Sequence, residues 1–174
     1  MKIAAVVLAA GEATRFGAPK QRLLLPRVLE RLAKAPVDEV VVVQGAYELD
    51  LPSYKLLQGI PARLVECAEW TRGPGVSLRC GLEALTDEVG AAVVVLADGP
   101  NLSFNAIERV LDVWREQGGV VAASYAGARG HPLVIGRKDW GAVPDEGLRE
   151  LAVRVIPCDD LGSPGDIDTP EDLS

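Results

Sequence analysis

Two glycines, an arginine and a lysine, Gly11, Arg15, Gly17 and Lys20, fall within ten residues directly after an apolar run that ends at Leu8, Ala9 and Ala10. That composition suits a loop that holds phosphates. Glycines let backbone N–H groups approach an anion with no side chain in the way, and Arg15 and Lys20 place full positive charges where a triphosphate spreads its own. Residues 12–27 hold four basic side chains against one acid, in a chain whose net charge is −7. Two commoner phosphate loops are excluded: no Gly-Lys pair is followed by Ser or Thr, and no GxGxxG opens the first helix.

Carboxylates at two places have the character of magnesium ligands. Asp98 follows an apolar run and precedes Gly99 and Pro100, which places it at the carboxyl end of a strand, although an Asp before such a pair also simply forms a turn. Magnesium prefers oxygen donors and usually takes one or two carboxylates, with water and substrate phosphate completing its shell. The second place is the acid-rich end, where Asp166 and Asp168 alternate and would point the same way in an extended segment. Thr169 and Pro170 read as a helix cap and first turn, with Glu171 and Asp172 serving the helix dipole. Residues 145–174 hold nine acids and two bases, whereas residues 1–144 balance at sixteen of each; a solvated acidic tail is the simpler reading of that charge alone.

The elements that must position these groups follow from hydropathy. Almost wholly apolar runs at 3–8, 40–43, 91–96 and 120–123 read as strands buried on both faces. Helical spacing separates them: Val28, Leu29 and Leu32; Leu78, Leu82 and Leu85; Ile107, Val110, Leu111 and Trp114. Residues 131–135 and 153–156 are further candidate strands, joined through a short helical segment at 145–151, while 11–26, 50–61, 70–75 and 126–132 look irregular. Alternating strands and helices indicate an α/β fold around a mostly parallel sheet, in which ligands bind beyond the carboxyl ends of the strands. A length of 174 residues fits one domain.

Composition excludes several classes of function. The acidic balance argues against nucleic acid as a partner. No apolar run reaches the roughly 20 residues of a membrane helix, and residues 1–8 read as a strand rather than a secretory signal, so a cytoplasmic location is expected. Cys67, Cys80 and Cys158 are odd in number and contain no CxxC pair, which predicts buried thiols with neither disulfide nor zinc. The tryptophans Trp70, Trp114 and Trp140 read as core or rim residues.

Leu8, Ala9, Ala10, Gly11, Arg15, Gly17 and Lys20 together resemble the LAAGxxxRxGxxK signature of nucleotidyltransferases similar to the molybdenum-cofactor cytidylyl- and guanylyltransferases, within the wider sugar-phosphate nucleotidyltransferase group. The resemblance continues through residues 70–82, similar to a WxxGxxxSLxxGL segment containing Gly75 and Ser77, through 127–132, similar to a GxxGHP turn containing His131, and through 166–173, similar to a DIDTPEDL ending. It implies a Rossmann-like three-layer sandwich of the nucleotide-diphospho-sugar transferase type. In that fold the first loop wraps the triphosphate of an incoming CTP or GTP, Arg15 and Lys20 neutralise it, and backbone near Ala9 and Ala10 meets the base. Gly75 and Ser77 would face the nucleotide; Asp98 with Asp168, or Asp166, would hold Mg2+. The LAAG form is associated more with CTP and LAGG with GTP. Apart from the resemblance, Ser77 reads as a helix N-cap and His131 as mainly structural.

The reaction so implied is attack by an anionic acceptor oxygen on the α-phosphorus of the nucleotide, with pyrophosphate leaving. A phosphate monoester is already ionised near neutral pH, so no strong base is demanded. Molybdopterin is the expected acceptor, with a sugar or polyol phosphate next, and a catalytically silent nucleotide-binding protein as the rival from another class. The chain departs from the family pattern at Glu12, where a small hydroxyl residue is frequent, after Pro26, where a short glycine-containing turn is missing, and at 144–149, a degraded GDxGAR segment. There Asp145 either touches the acceptor or caps a helix.

Overall fold

The computed structural model describes residues 1–11, 20–49 and 59–165, without the side chains of residues 20–22 and 150. Among the described residues seven strands form one sheet: β1 (Lys2–Ala9), β2 (Glu39–Gln44), β3 (Ala62–Glu66), β4 (Val89–Leu96), β5 (Val120–Tyr125), β6 (Ala128–Gly136) and β7 (Arg154–Pro157), in the order β3-β2-β1-β4-β6-β5-β7. All neighbours run parallel except β6, which is antiparallel to both β4 and β5. β1 lies between β2 and β4, pairing Leu8 with Val43 on one side and Leu96 on the other.

Central strands are apolar at consecutive positions because both faces of the sheet are covered. Ile3, Ala5 and Val7 pack with α1 (Lys20–Leu32) and α3 (Phe104–Gln117), whereas Ala4 and Val6 pack with α2 (Pro74–Glu83). Three layers result, as the resemblance implied. α2 comes so close to the sheet that a Cβ on Gly81 would lie 2.6 Å from Val6 Cγ1 and 2.8 Å from Val43 Cγ2. α3 begins where Ser103 Oγ accepts the Ala106 N–H at 3.4 Å and ends at Gly118, φ 66°.

Several expectations need correction. β3 went unread, because Ala62–Glu66 carries Arg63 and Glu66 and lies at the sheet edge. α1 begins at Lys20, inside the segment expected to be irregular, and runs through Pro26; Leu24, Leu25, Val28, Leu29 and Leu32 give it one buried face. Ser77 does not cap α2: Gly73 does, with Pro74 at the first helical position, so Ser77 sits buried within the helix. Residues 145–151 contribute a single 3-10 turn, Leu148–Glu150. Residues 128–130, expected in a loop, already belong to β6 ahead of the strand read at 131–135, with a cis peptide between His131 and Pro132.

The cysteine expectation also fails. Cys67 and Cys80 form a disulfide, with Cα atoms 5.9 Å apart, tying the chain just beyond β3 to α2; Cys158 remains a buried thiol. Their separation of 13 residues carried no local signal, since only the packing of α2 beside β3 brings them together. No helix among the described residues is long and apolar enough to cross a membrane.

Candidate active site

At the carboxyl ends of β1 and β4 a pocket of about 390 Å³ opens on the α2 side of the sheet. Three segments distant in sequence build it. The end of β1 and the residues after it contribute Leu8, Ala10 and Gly11; the end of β4 and the turn beyond it contribute Leu96 and Asp98; and the approach to α2 and its first turn contribute Trp70, Thr71, Gly73, Pro74 and Ser77. The ends of β1 and β4 are locked together, since Ala97 N–H donates to the Leu8 carbonyl at 3.1 Å. Asp98 then falls within a turn closed by Gly99 N–H on the Leu96 carbonyl at 3.2 Å. This is the ligand-binding edge expected of a parallel sheet.

Of the residues singled out from sequence, Leu8, Ala10, Gly11, Ser77 and Asp98 meet at this pocket. Ala9 is buried on the opposite face, against the α1 and α3 side of the core. Gly75 is not among the lining residues; its place at the pocket is taken by Gly73 and Pro74. Arg15, Asp166 and Asp168 lie outside the described residues, as does the side chain of Lys20, whose backbone opens α1. Trp70, Thr71, Gly73 and Pro74 lie in the segment 70–82 that the resemblance turned towards the nucleotide, although within it only Gly75 and Ser77 were singled out and Trp70 was also read as core or rim. A signal existed: Gly-Pro at 73–74 is the start of a helix, and helix starts face ligands in this kind of fold.

Beside the pocket lies an electrostatic clasp. Arg72 donates to one Asp145 carboxylate oxygen at 3.0 Å, Arg79 donates to the other, and Arg79 also donates to the Val143 carbonyl at 2.6 Å. Hydrogen bonding from Arg79 is the main cause that holds the Asp145 carboxyl below its ordinary value, helped by Arg72. Asp145 therefore neither caps a helix nor stands open to solvent as an isolated acid. It fastens residues 143–147 onto the start of α2.

His131, near the same edge of the sheet, titrates low. Burial pushes its imidazole down to about 4, opposed by the negative Asp98 and reinforced by the positive Arg129. At neutral pH it is uncharged. Its main-chain carbonyl accepts the Tyr125 hydroxyl at 2.9 Å.

An open α/β sheet, a glycine turn after β1 and a carboxylate after β4 at one pocket define the class of the NTP-transferring α/β domains. The sequence model of the MobA-like NTP transferase domain matches residues 5–156, and the chain belongs to that family. It is similar to the bifunctional protein GlmU of Kineococcus radiotolerans, 31% identical over 168 residues, covering 88% of this chain and 34% of that protein. The 2-C-methyl-D-erythritol 4-phosphate cytidylyltransferase of Stenotrophomonas maltophilia is 38% identical over 132 residues, 68% of this chain and 56% of that one. The chain thus spans about a third of the GlmU protein and just over half of the cytidylyltransferase. Among solved structures, Rv0371c from Mycobacterium tuberculosis H37Rv superposes with a TM-score of 0.79 at 27% identity, covering 99% of this chain and 96% of its own; it has also been solved in complex with manganese.

Proposed function

We propose that this chain, acting as one domain, transfers a nucleoside monophosphate from CTP, or in second place GTP, to the phosphate of a sugar or polyol phosphate. An acceptor phosphate oxygen bonds to the α-phosphorus of the nucleotide, the bond from that phosphorus to the bridging oxygen breaks, and pyrophosphate leaves with the electron pair. The observation that carries this reading is the convergence of Gly11, Ser77 and Asp98 on one pocket at the carboxyl ends of β1 and β4. A Cβ built on Gly11 meets nothing within 4 Å among the described residues, which leaves room for an anion against its backbone. Positioning and charge neutralisation supply most of the acceleration in such a transfer, with no general base required.

Molybdopterin, the acceptor expected from sequence, takes second place. The curated relatives favour a smaller acceptor, one of them being by name a cytidylyltransferase for a polyol phosphate, which also favours CTP. A divalent metal fits the residues present: Asp98 is a hard oxygen donor on the pocket wall, and magnesium asks for one or two such carboxylates together with phosphate oxygens. Asp98, with Asp168 or Asp166, would hold it, and when bound it neutralises charge on the phosphates. The chain's own Arg15 and Lys20 would add to that neutralisation, and the glycine turn would orient the triphosphate. Nucleoside triphosphates are cytoplasmic substrates, and we place the reaction there.

The test is pyrophosphate release from each of the four NTPs with Mg2+ and a panel of acceptors that includes 2-C-methyl-D-erythritol 4-phosphate and molybdopterin. Release with CTP and a polyol or sugar phosphate is expected. Release only with molybdopterin would reverse the order of acceptors, and nucleotide binding with no release under any acceptor would reduce the protein to a silent binder.

A further inference from the structure

The Cys67–Cys80 disulfide brackets one whole wall of the nucleotide pocket. Trp70, Thr71, Gly73, Pro74 and Ser77, the residues that the approach to α2 brings to that pocket, all lie between its two cysteines in the chain. One end of the bracket is fixed to the sheet, where Cys67 N–H donates to the Gln44 carbonyl at 2.8 Å at the end of β2; the other end is Cys80, in α2.

The two sides of the bracket are held unequally. α2 is anchored without the disulfide, by the buried Val76, Leu78 and Leu82, by Gly81 against Val6 and Val43, and by the Gly75 N–H on the Asp145 carbonyl. Residues 68–72 are held more lightly. They are exposed apart from the half-buried Trp70, whose ring leans on Gly45, where a Cβ would fall 2.6 Å from Trp70 Cγ. The ion pairs of Arg72 with Glu69 and Asp145 lie at the surface, where such pairs hold weakly.

Resting on the function proposed above, we infer that Cys67–Cys80 is a reversible redox switch on nucleotide binding: closed, it holds residues 68–73 in place along the pocket; opened by a dithiol, it lets that wall go slack. A slack wall must be ordered again whenever the nucleotide binds, which lowers affinity. Disulfides in the compartment where nucleoside triphosphates are used are usually transient and redox-sensing. Cys67 is buried and Cys80 half-buried, so attack falls on Cys80. A thiolate of the dithiol bonds to Cys80 Sγ, the Sγ–Sγ bond breaks, and Cys67 leaves with the electron pair and takes up a proton. Its sulfur lies 3.8 Å from the Val76 carbonyl, an acceptor for the new S–H. The second sulfur of the dithiol then displaces Cys80, which is protonated in turn; the chain gains two electrons and two protons and the dithiol becomes a disulfide. Cys158 is buried in the core on the opposite face of the sheet and takes no part.

The experiment measures CTP affinity with Mg2+ by calorimetry on the full chain, oxidised, then reduced with dithiothreitol, then reoxidised, at a temperature where circular dichroism shows each form folded. Reduction is expected to weaken CTP at least about fivefold and reoxidation to restore it. In NMR the Trp70 indole N–H should shift on reduction, while that of Trp140, which donates to the Ile135 carbonyl at 3.1 Å, stays. The double variant Cys67→Ala with Cys80→Ala should bind as the reduced chain does and ignore dithiothreitol, and Cys158→Ala should keep the full response. Equal CTP affinity in the folded oxidised and reduced chains, an unmoved Trp70, or a response that survives in the double variant overturns the switch and leaves the transferase reading standing. A chain that loses its fold on reduction at every temperature likewise overturns the switch. No CTP binding in either form overturns that reading, and the switch with it.

Discussion

The backbone N–H of Gly75 donates to the main-chain carbonyl of Asp145 at 2.9 Å, and a Cβ on Gly75 would lie 1.7 Å from the Pro144 carbonyl oxygen. The start of α2 and residues 144–145 are in effect one unit. Gly75→Ala sets a methyl against backbone that cannot swing aside, so a loss of about 1–3 kcal/mol is expected, seen as a fall of several degrees in Tm. Unchanged Tm would mean that the two segments are not pressed together.

Gly11→Ala makes the opposite case. Its new methyl meets nothing within 4 Å among the described residues, so Tm should hold within about a degree while CTP affinity falls about tenfold or more, because the obstruction is to the ligand. Calorimetry and thermal unfolding of the same sample check both halves. Retained affinity would remove this turn from the nucleotide site.

Asp98→Asn keeps the shape of the side chain and removes its charge. Turnover with Mg2+ should drop by about two orders of magnitude or more, with Tm retained and with Mn2+ binding, followed by electron paramagnetic resonance, weakened in the presence of nucleotide. Undiminished turnover would place the metal elsewhere.

Acid should act through His131. Its folded pKa, about 4, lies below the ordinary 6.5 because burial disfavours the charged ring. The folded state therefore binds fewer protons than the unfolded one between those values; the stabilisation is complete above pH 6.5 and is lost as pH falls towards 4. Up to about 3 kcal/mol is at stake. In His131→Gln the decline of unfolding free energy between pH 6.5 and 4.5 should flatten, which urea titrations at stepped pH measure. An identical slope in the variant would assign the acid sensitivity to other groups.

Reduction of Cys67–Cys80 should cost roughly 3 kcal/mol, the chain-entropy value for a closed loop of about this length; the separation here is 13 residues. Thiol titration under denaturing, non-reducing conditions should find one cysteine, Cys158, rising to three after reductant, with Tm lower by about 5–10 °C. Three thiols before reductant would contradict the disulfide.

The strands at 3–8, 40–43, 91–96 and 120–123 were legible because each is buried on both faces, and unbroken apolarity is a signal that needs no context. β3 was not, since an edge strand of five residues keeps a charged Arg63 and Glu66 and loses that signature. Leu8, Ala10, Gly11, Ser77 and Asp98 could be gathered from sequence because each sits within a short motif of its own. The pairing of Asp145 could not be read, its two arginine partners being 66 and 73 residues away. Ser77 was misplaced as a cap because a serine before leucines outweighed the Gly73 and Pro74 pair four residues earlier.

β6 runs against its neighbours, so its first residues, not its last, emerge at the edge where β1 and β4 end. A hairpin of two strands thereby delivers Arg129 to that edge with no crossover helix behind it, joined to β5 by a turn at Ala126 and Gly127, both at positive φ. Such a tip is separable from the rest of the sheet: residues 126–129 are exposed, so exchanging them leaves the packing of β1 against α2 in place.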